Sequence, residues 1–449
     1  MVKDFNNYQI KNKHSLPAIS TLLIALVVLL SAIPREIVIY SFNDQYTRQY
    51  GRSISIPYAI ICTFLLLFIK RGKLKINKYA KKSPFLFYLV YGVFSVAFII
   101  FNKAELPFYS VAAFKYVLYI ISFLILSSSV SLKNYLKGLD LGFKIALMLQ
   151  TLIGWLYEFA GITVPYIGKY SVSYRNGLSR MEGTFTHPGD FSLYAGILFI
   201  YFFYKFLYKK GVVSLVYSAV AYIDIFLSGA RTMLLTISVL VAIILFFRYR
   251  QLLLVKILLA IGISGGLYWF FNSDIYIDMF LEHDFSEMFV ARFTHWIVGF
   301  NIMFSSIESF LFGVGLNNHV RYIDENYGMF ALVVSSAGDA LESEFVRGMP
   351  IHNSFIIVGC ELGIVGTLSY LSYYIFYICE IGKVFHKDSR YRRICAFIIS
   401  SIVIIMIYSI QGWAMMKTFA WEIVIVIFAL SSQILKDYKN SNLCVGIKN

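Results

Sequence analysis

The sequence predicts an all-α polytopic membrane protein of about twelve spans, on three observations. Of 449 residues, 59% are hydrophobic, 18% aromatic and only 14% charged, a ratio that a water-facing surface and a single core could not absorb. Apolar runs of about 16–25 residues recur along the whole length, each long enough to cross hydrocarbon as a helix. The runs are solid blocks of Leu, Ile, Phe, Val and Tyr, whereas a closed barrel would show short alternating segments.

The spans fall at 16–40, 53–69, 84–101, 108–127, 139–159, 187–207, 212–228, 232–247, 252–271, 353–381, 394–411 and 419–435. Pro34-Arg35-Glu36 weakens the second half of the first. The seventh and eighth, separated only by Ser228-Gly229-Ala230, read as two spans or as one re-entrant unit. Basic residues gather in alternate loops: Lys3 to Lys13, Lys70 to Lys82, Lys133 and Lys137, Lys205 to Lys210, Arg248 and Arg250, Lys383 to Arg393, and the tail from Lys436. These loops hold 25 of the 40 Lys and Arg, against 12 on the other side, and the positive-inside rule makes them cytoplasmic. Both termini are then cytoplasmic, and about 20 of the 25 acidic residues fall on the outer half. The net charge of +15 is a topology signal plus attraction to anionic lipid, and gives no argument for nucleic acid.

A basic stretch precedes the first span with no small-residue cleavage pattern after it, so an uncleaved signal anchor is expected. Cys62, Cys360, Cys379, Cys395 and Cys444 lie in spans or the tail without a CxxC, so neither a disulfide nor a thiolate metal site is expected. The predicted organisation is a nine-span membrane region at 1–271, a large extracytoplasmic loop at 272–352 with short amphipathic helices, and three spans with a cytoplasmic tail at 353–449.

That loop and its flanks carry the candidate site. Arg231 follows Ser228-Gly229-Ala230 at an outer helix end. An arginine snorkelling to headgroups is the plain alternative, but small residues permit close approach and an outer arginine runs against the charge bias. Arg292 lies in Ala-Arg-Phe-Thr-His-Trp (291–296), with Trp296, Phe300 and Met303 at helical spacing, which suggests an amphipathic helix lying on the membrane. His295 would share its face, as a packing or hydrogen-bonding partner. His352 stands between Pro350 and Asn353 at the start of a span, as an interfacial histidine satisfied by a carbonyl or as a base. His187, before Pro188, is a second imidazole or a helix cap.

Gly313-Val314-Gly315, with Asn317 beyond it, brings backbone close to a ligand or merely turns the chain. Asp339, Glu342 and Glu344 read as a solvated acidic face rather than a metal cage. Lys115, Lys144, Glu158, Asp224 and Glu361 are ionisable groups within spans, paired with protein or lining an ion path.

Gly-Thr-Phe-Thr-His-Pro (183–188), Ser-Gly-Ala-Arg (228–231), Ala-Arg-Phe-Thr-His-Trp (291–296), Phe-Gly-Val-Gly (312–315) and His-Asn-Ser-Phe (352–355) leading into Glu-Leu-Gly-Ile-Val-Gly (361–366) occur in order. With them the chain resembles the O-antigen ligase and Wzy-type polysaccharide polymerase superfamily of bacterial membrane glycosyltransferases, with a GT-C-like fold, over roughly 180–370. The resemblance implies a glycan donor on undecaprenyl diphosphate, used at the outer face of the cytoplasmic membrane by inverting, metal-independent transfer without a cofactor. The product is a polymer of repeat units (O-antigen, capsule or exopolysaccharide) or, for a ligase, glycan joined to lipid A core.

It further implies Arg231 and Arg292 on the diphosphate and His352 as catalytic base, with His187, Asn353, Asn317 and His295 as further substrate contacts. Donor, acceptor and bilayer are the implied partners, with a chain-length regulator and a flippase beside them. A lipid-linked glycan flippase or transporter is the rival of another class, resting on Lys115, Lys144, Asp224 and Glu361. A long outer loop weighs against it, because a transporter's site sits near the midplane.

Overall fold

Helices follow the apolar blocks. The computed structural model describes residues 16–41, 53–69, 74–95, 106–164, 173–175, 178–248, 285–326, 351–412 and 418–446. The predicted ninth span (252–271), the acidic run at 339–344 and Pro350 lie outside the described residues. In chain order the elements are α1 (Leu16–Ser31), β1 (Glu36–Ser41), β2 (Ser53–Pro57), α2 (Tyr58–Ile69), α3 (Lys78–Lys81), α4 (Pro84–Phe94), α5 (Leu106–Ser128), α6 (Leu132–Ala160), β3 (Ser173–Arg175) and β4 (Leu178–Arg180). There follow α7 (Pro188–Lys209), α8 (Val212–Leu227), α9 (Arg231–Arg248), α10 (Phe285–Met303), α11 (Ile307–Phe312), α12 (His319–Glu325), α13 (Ser354–Lys387), α14 (Arg392–Gln411) and α15 (Thr418–Gly446).

Among the described residues, α5, α6, α7, α9, α13 and α14 are long and apolar enough to cross a membrane, and α1, α2, α4 and α8 are shorter apolar helices. The predicted first span is corrected. Its helix stops at Ser31, and 36–41 pairs antiparallel with 53–57, Glu36 opposite Pro57. Pro34 has no N–H to continue the helix and holds its predecessor out of helical geometry, while Ile37-Val38-Ile39 is β-branched throughout and favours a strand. The predicted second span accordingly opens as strand β2 before α2 begins. Ser228-Gly229-Ala230 separates two distinct helices, α8 and α9.

Apolar side chains line the outside of the bundle as well as its inside. Val212 and Phe226 on α8, Leu235 and Phe247 on α9, Leu152 on α6 and Leu368 and Ile375 on α13 are all exposed. An apolar surface of that extent is stable only in lipid. Without a hydrophobic drive between helices there, close contact rests on small residues. Gly138 and Gly142 of α6 lie against α1, where an added Cβ would stand 2.6 Å from Ile24 Cβ and 2.7 Å from Val28 Cβ. Gly142→Leu is therefore expected to separate α1 from α6 and lower thermal stability, since overpacking costs about 1–3 kcal/mol. Gly382→Leu is the control, because nothing lies within 4 Å of its Cβ position. Equal melting curves for the two variants in detergent would contradict this.

A slab of aromatic rings joins four helices. Phe85 and Tyr88 of α4, Tyr116 and Tyr119 of α5, Tyr370, Tyr373 and Tyr377 of α13 and Trp421 and Phe428 of α15 are fully buried. Trp421 lies 5.9 Å from Tyr88 and 5.6 Å from Tyr119, both stacked, and Tyr377 stacks on Phe428 at 4.7 Å. The phenols are bonded too: Tyr88 to Tyr116 at 2.8 Å, and Tyr377 to Ser83 and Ser432, both at 2.9 Å.

The ionisable groups within the bundle have local partners. Thr151 Oγ1 and Trp155 Nε1 donate to Asp224 at 2.6 and 3.1 Å. Lys115 pairs with Glu36 at 3.2 Å, and Lys144 with Asp140 at 2.9 Å.

Candidate active site

The candidate residues lie at four loop-to-helix junctions. The first is 180–191. Gly183 takes a left-handed φ of +56°, and the Gln150 side chain of α6 grips the residue after it. Gln150 Oε1 accepts from Thr184 N at 2.9 Å, while its Nε2 donates to Thr184 Oγ1 at 2.6 Å and to Ala32 O at 2.7 Å. The Gly-Thr-Phe-Thr-His-Pro turn is thus fixed to α6 and to the end of α1. His187 then caps α7: its Nδ1 accepts from Gly189 N at 3.0 Å, with Pro188 as first helical residue. The ring is exposed, but Nδ1 is committed to the cap.

The second junction is Ser228–Arg231. Gly229 has φ +61°, and Arg231 opens α9 with its N–H on Gly229 O at 3.2 Å. Arg180, at the end of β4, lies across the same turn: Nε donates to Ser228 O at 3.0 Å, and the adjacent Met181 N donates to Leu227 O at 3.1 Å. Two guanidinium-bearing residues therefore flank one turn. Sequence reasoning passed over Arg180, whose only signal was an outer-side arginine three residues ahead of the Gly183 turn.

The third junction carries His352. Its backbone oxygen accepts from Trp296 Nε1 of α10 at 3.2 Å, and its ring meets that of His295 edge to face at 5.4 Å. His295 is 2% exposed. Asn353 caps α13, its side-chain oxygen accepting from Phe355 N at 2.9 Å and Ile356 N at 3.2 Å. Arg292 lies on α10 three residues before His295 and hence on its face; its side chain lies outside the described residues. α10 covers the segment expected to form an amphipathic helix on the membrane, and one side of it packs inward. Gly299 packs it onto α13, accepting from Cys360 Sγ at 3.2 Å, and Met303 lies against Gly359. Trp296, Phe300 and Met303 share no lipid face: Met303 is buried and Phe300 exposed.

One helix end joins these segments. Ser354 Oγ donates to Gly412 O, just past α14, at 2.9 Å. One turn earlier, Tyr408 donates to Asp190 of α7 at 3.4 Å, and an added Cβ at Gly189 would stand 2.7 Å from its Oη. The segments that carry His187 and His352 thus both contact the end of α14.

At the fourth junction the second of the two expected readings, a turn of the chain, describes the backbone. Gly313-Val314-Gly315 approaches a helix, not an open crevice. Val314 N donates to Cys360 O at 2.7 Å and Gly315 N to Glu361 O at 3.1 Å, where α13 is broken at Gly363 with φ +64°. A Cβ at Gly313 would strike the Glu361 carbonyl carbon at 2.3 Å. Asn317, offered as a substrate contact, is 5% exposed and has a left-handed φ of +64°. No group of three or more His, Cys, Asp or Glu that could hold a metal ion occurs among the described residues.

The fold defines a polytopic all-α membrane protein. A family model described as O-antigen ligase matches residues 213–371, about a third of the chain. The match takes in Arg231, Arg292, His295, His352 and Glu361, and begins after Arg180 and His187. No curated protein matches the chain.

Proposed function

We propose that the protein transfers a glycan from undecaprenyl diphosphate to an acceptor hydroxyl at the outer face of the bacterial cytoplasmic membrane, extending a surface polysaccharide by one repeat unit at a time. The observation that carries this is the contact of the His187 and His352 segments with the end of α14, together with Arg180 lying across the turn that Arg231 closes. In the reaction the acceptor oxygen bonds to the anomeric carbon, the bond from that carbon to the diphosphate breaks, and the diphosphate leaves with the electron pair. Arg231 and Arg292, with Arg180 beside the first, neutralise the charge that develops there, and in a water-poor crevice such stabilisation is usually the largest catalytic contribution. His352 takes the acceptor proton. A one-step displacement inverts the anomeric centre. The apolar sides of α8 and α9 leave the carrier's isoprenoid tail in lipid while its head reaches the junctions.

The transporter reading loses support. The ionisable groups it drew on are closed in local contacts: Asp224 with Thr151, Lys115 with Glu36, Lys144 with Asp140 and Glu361 with His319. A ligase remains the second reading, favoured by the description of the matching family.

Gel analysis of surface glycan from a deletion strain separates these. Loss of chains longer than one repeat supports the polymerase. Polymer left unattached on the carrier points to the ligase, and unchanged ladders would overturn both.

A further inference from the structure

The break in α13 divides it at Gly363 into a short arm, Ser354–Leu362, with His352 just beyond its tip, and a longer helix running on to Lys387. At the break the helix gives up part of its own bonding, and neighbours take the freed carbonyls: Val314 N that of Cys360, Gly315 N that of Glu361, and Tyr91 Oη that of Leu362 at 3.2 Å. Close contact is mutual, since a Cβ at Gly363 would meet the Leu311 carbonyl at 2.4 Å. One side-chain bond completes this bracket. His319, the first residue of α12, holds Glu361 at 2.7 Å between Nδ1 and Oε1, with both side chains at most 1% exposed.

Such a pair adds little stability. Replacing two buried polar partners by apolar groups of similar volume is often neutral or better. What it does supply is direction. With its proton on Nδ1 the His319 ring donates to Glu361 Oε1, which fixes how the imidazole faces α13. Loop and arm are thereby joined by a single oriented bond in addition to the two backbone bonds.

Its lever is long. Nine residues separate Glu361 from His352, an arm of about 13 Å at helical rise. A tilt of about 5° at the break moves the tip by about 1 Å, and a misplacement of that size costs roughly 100-fold in rate. α10, gripped through Gly299 and Cys360, would swing with the arm and take Arg292 along.

We propose that His319 and Glu361 are positioning residues: a buried imidazole–carboxylate lock that sets the pitch of the arm and so places His352, and Arg292 on α10, over the reacting centre. This rests on the glycosyl-transfer reading above. Neither side chain touches substrate.

Two variants test it in purified, membrane-reconstituted protein supplied with carrier-linked repeat unit. His319→Asn keeps an N–H where Nδ1 stood and is expected to hold kcat within about threefold. The double variant His319→Leu/Glu361→Leu removes both polar groups together and is expected to fold, yet to lose about 10- to 100-fold in kcat with donor KM changed less than about threefold. Spin labels at Phe300→Cys on α10 and Ile375→Cys beyond the break, both exposed positions, read the pitch directly once Cys62, Cys379 and Cys444 are replaced by serine. The distance distribution should broaden in the double variant and stay narrow in His319→Asn. The lock is overturned by an unbroadened distribution, by full kcat in the double variant, by a loss confined to KM, or by a His319→Asn as impaired as the double variant. If the wild type transfers no glycan, the functional reading falls while the spin-label distances still decide the lock.

Discussion

Arg231→Lys is expected to remove most glycan transfer although the positive charge is kept. A guanidinium presents a planar fork that meets two phosphate oxygens at once, whereas an ammonium is a strongly hydrated point charge. Losing one preorganised donor to a developing oxyanion costs about 2.7–4 kcal/mol, or about 10²–10³-fold in kcat. The fold has little reason to suffer, because the turn is held by other groups: Arg231 N bonds to Gly229 O, and Arg180 Nε to Ser228 O. The check is the rate of chain extension by purified protein from a carrier-linked donor. An unchanged rate at saturating donor would refute the clamp.

His352→Ala should abolish transfer and leave donor binding nearly intact. General-base catalysis contributes about 10²–10⁴-fold, so a fall of that size in kcat is expected. The grip of α10 on this residue goes through its main-chain oxygen, which accepts from Trp296 Nε1, and alanine keeps that oxygen. Only the ring is lost. A binding measurement with the carrier-linked donor in which affinity collapses together with rate would make His352 a substrate contact instead of the base.

Much of the bundle was legible because lipid demands it. A segment that must satisfy all its backbone groups internally is a helix, and its apolar block marks where it runs. The hairpin after α1 was not legible by the same logic, since Ile37-Val38-Ile39 reads as apolar in either geometry and only Pro34 hinted at the change. At the site, His352 and Arg231 stood out as polar groups at the mouths of apolar blocks. Arg180 did not, because its significance lies in which turn it crosses, nearly 50 residues further along the chain. The glycines at 313 and 315 announced a close approach of backbone, but nothing local could say that the partner was Glu361 rather than a ligand.

The ring slab shared by α4, α5, α13 and α15 constrains how this sequence can drift. Trimming a large aromatic such as Trp421 to alanine costs about 3–5 kcal/mol in a close-packed interior, and acyl chains outside cannot flow in to fill the hollow between four interlocked helices. The Tyr377 phenol, tied to both Ser83 and Ser432, cannot relax inward without giving up those bonds. Viable descendants must therefore exchange volume in concert, a ring gained on one helix as another is lost across from it, so that variation here travels in matched sets while the lipid-facing flanks change freely.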